Sequence, residues 1–318
     1  MPNSITDIPG ITVGSQEDLN ALTGCTVILT GDKGATCGVD VRGSGPGTRE
    51  TDLLSPINMI EKVHGILLTG GSAYGLEAAG GIMQFLEEKG IGYNVGPTVV
   101  PIIPGAVLFD LAIGDHTKRP DKQMGYLACQ AAGIDVKEGN YGAGAGATVG
   151  KINGKDKCTK SGLGTYSIKL DNGVIVGAIV AVNAFGDVFN TQNGKIIAGV
   201  RDDSGKIIGT EEAYKKMANV DFSNYIGTNT TIGVVASNAS FNKSNLTKIA
   251  QMAHNGLARV INPIHTMCDG DTIFALSKGD LQADINVVGY LAQEALKQAV
   301  LRAVQAAETI KDCRSYKD

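Results

Sequence analysis

Asn229-Thr230-Thr231 stands at the mouth of an apolar run, Ile232-Gly233-Val234-Val235-Ala236. A threonine hydroxyl lies next to the carbonyl that precedes it. If the peptide is held under strain, the hydroxyl can attack that carbonyl and form an ester that water then cleaves. The new chain would begin at Thr230. Its free amine, with a reference pKa of about 8, could act as base for its own hydroxyl. A turn leading into a rigid buried strand is a suitable place to hold such strain. Taken alone, the tripeptide reads first as a polar turn feeding a strand, and the cut is the minority reading.

Three further constellations could carry chemistry. Asp269-Gly270-Asp271 pairs two carboxylates, which can orient a cation or share a proton, or can simply form an acidic turn. An EF-hand is excluded, since no Asp or Asn precedes at the right spacing and no Glu follows. The run from Gly142 to Lys151 suggests a phosphate loop, but Ala145 replaces the first glycine and Ile152 follows Lys151 where Ser or Thr should stand. It fits a dinucleotide fingerprint poorly, because no helical pattern follows it. What is left is a backbone loop that delivers Lys151, either to solvent or to a buried reacting group. Asn183 closes the strongest apolar run, where an amide can form a turn or donate to a developing oxyanion. His64, His116, His254 and His265 lack metal-ligand spacing and are expected to be structural. No Ser or Cys sits in a nucleophile elbow. The six cysteines, at 25, 37, 129, 158, 268 and 313, form no CxxC pair. Cys268, beside the acids, reads as a small buried hydrophobe. No metal and no organic cofactor is expected.

The elements that would position these groups follow from periodicity and turn residues. Strands are expected at 25–29 and 35–41 around Gly31-Asp32-Lys33-Gly34, as a hairpin, with a helix at 52–63 and a buried strand at 65–68. Gly70-Gly71 opens a helix at 73–89 that Gly90 ends. Residues 99–104 are proline-punctuated and extended, 125–132 helical and 139–150 a glycine-rich loop. Residues 167–170 and 174–182 pair across Asp171-Asn172-Gly173, a strong hairpin signal. A polar stretch over 185–223 holds a short helix at 211–218. A strand at 231–236, an amphipathic helix at 245–261 and a strand at 273–276 follow. A long helix, or a pair broken near Gly289, covers 280–310. Strands and helices alternate without a βαβ rhythm. One α+β unit of layered sheets covered by helices, spanning 1–318, therefore fits better than a doubly wound sheet.

Composition narrows the function classes. The chain has 318 residues with a formal net charge of −4, the wrong sign for nucleic-acid binding. No apolar run reaches membrane-spanning length, and the first ten residues lack a secretory pattern, so a cytoplasmic protein with reduced thiols is expected. Glycine is abundant, at 43 residues, and is spread between apolar runs, which points to tight turns and close backbone approaches.

The chain resembles, over nearly its whole length, the DmpA-type family of L-aminopeptidase/D-esterases, β-peptidyl aminopeptidases and nylon-oligomer endohydrolases. The resemblance rests on Ile5-Thr6-Asp7-Ile8-Pro9-Gly10-Ile11-Thr12-Val13-Gly14, Leu68-Thr69-Gly70-Gly71-Ser72-Ala73-Tyr74-Gly75-Leu76 and Val100-Pro101-Ile102-Ile103-Pro104. It continues in the loop from Gly144 to Lys151, Val182-Asn183-Ala184, the run from Asn229 to Ala236, and His265-Thr266-Met267 through Asp269-Gly270-Asp271-Thr272-Ile273-Phe274-Ala275. It implies an αββα sandwich of the N-terminal-nucleophile-like type, cut before Thr230 into an α chain, 1–229, and a β chain, 230–318. It also implies Thr230 as nucleophile, Lys151 and Asn183 as the groups that assist it and build the oxyanion site, and Asp269 and Asp271 as supporting acids of the threonine-type branch. The expected substrates are short peptides or amino-acid amides and esters, turned over through an acyl-threonine intermediate, and the expected assembly is a tetramer of αβ units. No nucleic-acid or membrane partner is expected. Two departures stand out: Ser15 follows Gly14 where relatives often have His, and Phe109 replaces a tyrosine. They motivate an alternative, a catalytically silent relative that serves as a binding or assembly module.

Overall fold

A strand buried along its whole length sets the centre of the molecule. The structure, a computed structural model, describes residues 3–216 and 229–318. The strand Ile175–Asn183 (β9) is buried at every position, as a strand covered on both faces must be. Its neighbours complete a six-stranded sheet: Leu163–Lys169 (β8), then β9, Thr230–Ala239 (β10), Thr272–Leu281 (β11), Ala35–Val41 (β3) and Lys62–Val63 (β5). β9 and β10 are antiparallel, β10 and β11 parallel. A five-stranded sheet holds Thr12–Asp18 (β1), Thr23–Leu29 (β2), Gly65–Thr69 (β6), Gly105–Val107 (β7) and Thr48–Arg49 (β4), in that order.

Three apolar layers join these sheets to four helices. Ile28, Ile66, Leu68 and Ala106 meet Ile179, Ile232, Val234 and Phe274 between the sheets. The helices Lys243–Ala258 (α4) and Ile285–Ala306 (α5) bury Leu246, Ile249, Leu257, Leu296 and Val300 against the outer face of the six-stranded sheet. Ala78–Glu87 (α1) and Lys122–Gln130 (α2) cover the other sheet through Ala78, Ile82, Leu86 and Ala128. This is the layered α+β sandwich, αββα, that the resemblance implied. A shorter helix, Thr210–Lys216 (α3), meets the expected one; its last expected residues, 217 and 218, and the polar stretch to 223 lie outside the described residues.

Two expectations need correction, and one open alternative is decided. β2 and β3 form no hairpin: β2 pairs with β1 and β6, β3 with β11 and β5. The turn at 31–34 instead carries the chain from one sheet to the other. Residues 52–63 are not a helix but a 3-10 turn, Asp52–Leu54, followed by a loop and β5. Pro56 disfavours helical geometry at Ser55, whose ψ is 135°. The loop's carbonyls turn instead to the buried Lys243 ammonium, which donates to Leu53 O at 3.0 Å, Asn58 O at 2.7 Å and Ile60 O at 3.0 Å. Residues 280–310 hold one unbroken helix, α5, that begins later because Asp284 caps it, accepting from the Asn286 N–H at 2.8 Å. Gly289 does not break α5. It makes room for Met252 of α4, whose Sδ would lie 2.5 Å from any Cβ there.

Lys243 thus fastens a segment that has no ladder of its own. Lys243→Met removes three charged hydrogen bonds and strands buried carbonyls, and should cost about 2–3 kcal/mol. Urea unfolding measures this; an unchanged midpoint would show that the loop holds itself.

Candidate active site

The antiparallel register of β9 and β10 sets Asn183 opposite Thr230, the last residue of one strand against the first of the next. The parallel pairing of β10 with β11 extends one step beyond the strands as a bridge between Asn229 and Asp269. One end of the sheet therefore gathers the segments 183–187, 229–231 and 265–272. All six residues singled out for chemistry, Lys151, Asn183, Asn229, Thr230, Asp269 and Asp271, meet there, and all but Lys151 are buried.

The Asn229 carbonyl is the focus. Its oxygen accepts the Gly270 N–H at 2.9 Å, and the Thr230 hydroxyl makes a short contact with the same oxygen. Gly270 has to be glycine for this: a Cβ would lie 2.6 Å from Gly45 O and 2.8 Å from Thr230 Oγ1. The two aspartates on either side of it do separate work. Asp271 accepts the Thr231 N–H at 2.6 Å on one oxygen and meets His265 Nδ1 at 2.7 Å on the other. Asp269 accepts the Thr266 N–H at 2.9 Å and Thr266 hydroxyl at 2.6 Å, and the Phe185 N–H at 3.3 Å. Burial, reinforced by the Asp271 charge, pushes Asp269 up to about 6.

Lys151 reaches the site because the loop behind it pairs with the turn after β9: Gly150 N–H donates to Gly186 O at 3.0 Å and Lys151 N–H to Phe185 O at 3.1 Å. Its ammonium donates to Asn183 Oδ1 at 2.6 Å and to Asn183 O at 3.0 Å. The Thr148 N–H also donates to Oδ1, at 3.1 Å, so two donors fix which end of the Asn183 amide is oxygen. The amide nitrogen donates to Phe109 O at 2.9 Å. Desolvation of the half-buried Lys151 pulls it down to about 8, against the pull of Cys158, Asp269 and Asp110. The Gly142 to Lys151 loop is thus spent on Asn183, through Thr148 and Lys151. Phe109 contributes its backbone. The Ser15 hydroxyl bonds Thr26 Oγ1 at 2.9 Å, and Thr26 in turn accepts the Ala143 N–H of that loop.

Sequence reasoning missed three groups. His265, expected to be only structural, touches Asp271, and its ring stacks edge-on to His254 with centroids 4.9 Å apart. His254 Nε2 lies 3.1 Å from Asp40 O, and burial pulls this histidine down to about 4. The chain from Asp40 to Asp271 needs residues from β3, α4 and the loop before β11, which no local spacing reveals; the only hint was that His265 opens a matching stretch. Asp110 is buried, accepts from Gly71 N–H at 2.7 Å and Thr23 Oγ1 at 2.8 Å, and is pushed up to about 6 by burial. Cys268 met its expectation: it packs with Ile152, Phe185 and Val200, and burial raises its thiol. Among the described residues, no group of three or more His, Cys, Asp or Glu is placed to hold a metal ion.

A family description, Peptidase family S58, matches residues 3–317. The chain belongs to that family. An uncharacterized aminopeptidase of Mycobacterium leprae (strain TN) is 42% identical over 346 aligned positions, covering 99% of this chain and 93% of the relative. A 6-aminohexanoate-oligomer endohydrolase of Kocuria sp. (strain KY2) is 29% identical, covering 94% of this chain and 85% of that protein. The solved L-aminopeptidase D-Ala-esterase/amidase of Ochrobactrum anthropi, described as a variant of the Ntn hydrolase fold, matches with a TM-score of 0.73 at 18% identity, over 96% of this chain and 87% of that one. A β-aminopeptidase of Burkholderia sp. matches with a TM-score of 0.68 at 22% identity, over 96% and 88%. These structural likenesses agree on the fold. The S58 protein is an enzyme, a hydrolase of peptide bonds.

Two outcomes test the geometry. Gly270→Ala pushes a methyl group against Thr230 Oγ1 and should lower kcat/KM by roughly 100-fold, since small misplacements of reacting groups cost that much; a near-wild-type rate would show that the turn does not position Thr230. Activity against pH should be bell-shaped. It should fall as pH drops through about 6, where Asp269 gains a proton, and as pH rises through about 8, where Lys151 loses the one it donates to Asn183. A flat profile across either limb removes that group from the reaction.

Proposed function

We propose that this S58 enzyme processes itself between Asn229 and Thr230, and that Thr230 then acts as the nucleophile of an aminopeptidase or amidase. The observation that carries the reading is the Asn229 carbonyl, which holds a backbone donor, Gly270 N–H, and the Thr230 hydroxyl at the same time. In processing, Thr230 Oγ1 bonds to the carbonyl carbon and Gly270 N–H steadies the oxyanion. The C–N bond breaks as the Thr230 nitrogen takes a proton. Water then cleaves the ester, leaving Asn229 with a carboxylate and Thr230 with a free amine.

In the mature enzyme the amine takes the proton of its own hydroxyl, and Oγ1 attacks the substrate carbonyl. Asn183, whose amide is aimed by Lys151, Thr148 and Phe109, donates to the oxyanion. Water hydrolyses the acyl-threonine. Asp271 anchors the strand mouth through Thr231, and Asp269 holds the turn that carries Gly270. Short peptides, amino-acid amides and esters are the substrates this chemistry suits, and relatives named as aminopeptidases and oligomer endohydrolases agree with it. The reading takes the chain as one αββα domain in which the two products stay together, because strands of 1–229, β9 and β3, flank β10 and β11 of 230–318 in a single sheet. A tetramer of αβ units and a cytoplasmic location, both carried over from the expectations of the sequence, complete the proposal.

Under reducing conditions a denaturing gel of the purified protein should show two bands, with sequencing of the smaller one starting at Thr230. Thr230→Ala should give one band and no turnover of amino-acid amides. An active wild type that runs as one uncut chain would overturn the proposal.

A further inference from the structure

We propose that Cys158 and Cys313 are a redox pair that closes into a disulfide and, in the processed enzyme, ties the two chains together covalently. The bond itself is independent of processing; the tie between chains rests on the function proposed above. The two thiol sulfurs lie 3.9 Å apart. A disulfide needs about 2.05 Å, so they must close by roughly 2 Å. The backbone around them is already fastened. Lys160 N–H donates to Arg314 O at 2.7 Å, and Arg201 Nη2 to Ser315 O at 2.8 Å. Ile310 and Cys313 exchange both backbone hydrogen bonds, at 3.2 and 3.1 Å. The C-terminal segment is thus pinned to the segment 158–160, with the two sulfurs facing each other.

Access and reactivity separate this pair from the other thiols. A cavity of about 690 Å³, lined by Lys157, Cys158, Arg201, Arg314 and Asp318 among others, borders the buried Cys158, and Cys313 is half-buried. The Cys313 hydrogen bond, with help from the Lys151 charge, pulls Cys158 down to about 7, while the same bond pushes Cys313 up. Burial pushes Cys25, Cys37, Cys129 and Cys268 up instead. The contact is symmetric, so either sulfur can attack; with Cys158 attacking, Cys313 resolves. With a hydroperoxide as oxidant, the Cys158 sulfur takes one peroxide oxygen and becomes a sulfenic acid, and the O–O bond breaks to release an alcohol, or water from hydrogen peroxide. The Cys313 sulfur then displaces that oxygen as water and the S–S bond forms. Two sulfurs are oxidised, one peroxide is reduced, and a dithiol reverses the change.

The test treats the wild-type enzyme with a small excess of hydrogen peroxide, unfolds it in denaturant, alkylates the remaining thiols with iodoacetamide and maps the peptides. Two of the six cysteines should escape alkylation, in one cross-linked peptide pair holding Cys158 and Cys313. On a non-reducing gel the processed chains should run as one band and separate into two with dithiothreitol, whereas Cys158→Ser and Cys313→Ser should give two bands throughout. If the chain is never processed, the gel shows one band either way, but the lost alkylation sites and the cross-linked peptide still decide the disulfide. Six alkylated cysteines after treatment, or Cys158 left as sulfenic or sulfinic acid beside an alkylated Cys313, would overturn the proposal.

Discussion

The hydrogen bond from the Gly270 N–H to the Asn229 carbonyl exists because β10 and β11 run parallel, with Ile232 opposite Thr272. Parallel neighbours begin at the same end of a sheet and need a crossover between them. Here α4 supplies it, leaving the end of β10 and returning the chain to the start of β11. The segments just before two parallel strands must therefore meet, which brings 229–231 beside 269–271. β9 is antiparallel to β10, so it ends where β10 begins and adds Asn183. Strand direction alone assembles five of the six residues, and only Lys151 has to arrive by a loop.

That convergence puts charge where water is scarce. Asp269, Asp271 and Asp110 are all buried, and desolvation opposes the ionised forms of Asp269 and Asp110. Asp269 and Asp110 rise to about 6, and the Lys151 ammonium falls to about 8. Lys151 and Asp110 limit one another's shifts, and Asp269 holds Lys151 up in turn. Backbone N–H groups of Thr231, Thr266, Phe185 and Gly71 take up the carboxylate lone pairs. An arrangement of this kind costs stability, and the apolar layers on either face of the six-stranded sheet are what offset it.

Local sequence revealed elements whose determinants are local and missed those whose partners are distant. The pair β8 and β9 was legible because two apolar runs flank Asp171-Asn172-Gly173, and α4 because its apolar residues recur on one face. The turn at 31–34 was legible as a turn, but turn residues do not say which sheet the next strand joins. The 52–63 segment was misread because its carbonyls are satisfied by Lys243, nearly two hundred residues away. At the site, spacing left Thr230 as an ordinary polar turn, and family motifs supplied the other groups. No motif says that Asp271 reaches Thr231 or that Gly270 addresses the Asn229 carbonyl, since each contact joins the loop before β11 to the start of β10, or that His265 folds back within that loop onto Asp271.

Threonine suits position 230 for a reason that lies in β10 itself. A β-branched residue is stiff about χ1 and favoured in strands. At the first strand residue, the methyl group and hydroxyl of Thr230 compete for one restricted set of rotamers, so the strand that positions the backbone also limits where the hydroxyl can point. Asp271 tightens this limit by holding the next N–H, and Asn229 is held from behind, its N–H and its side-chain amide both donating to Cys268 O at 3.3 Å. The peptide bond between the two residues is thus clamped on both sides while its carbonyl oxygen faces the Gly270 N–H. On the proposed reading, cutting this bond relaxes the clamp on the Asn229 side only. The Thr230 side stays paired to β9 and β11, so the hydroxyl that attacked the chain's own carbonyl is still in position to attack a substrate's.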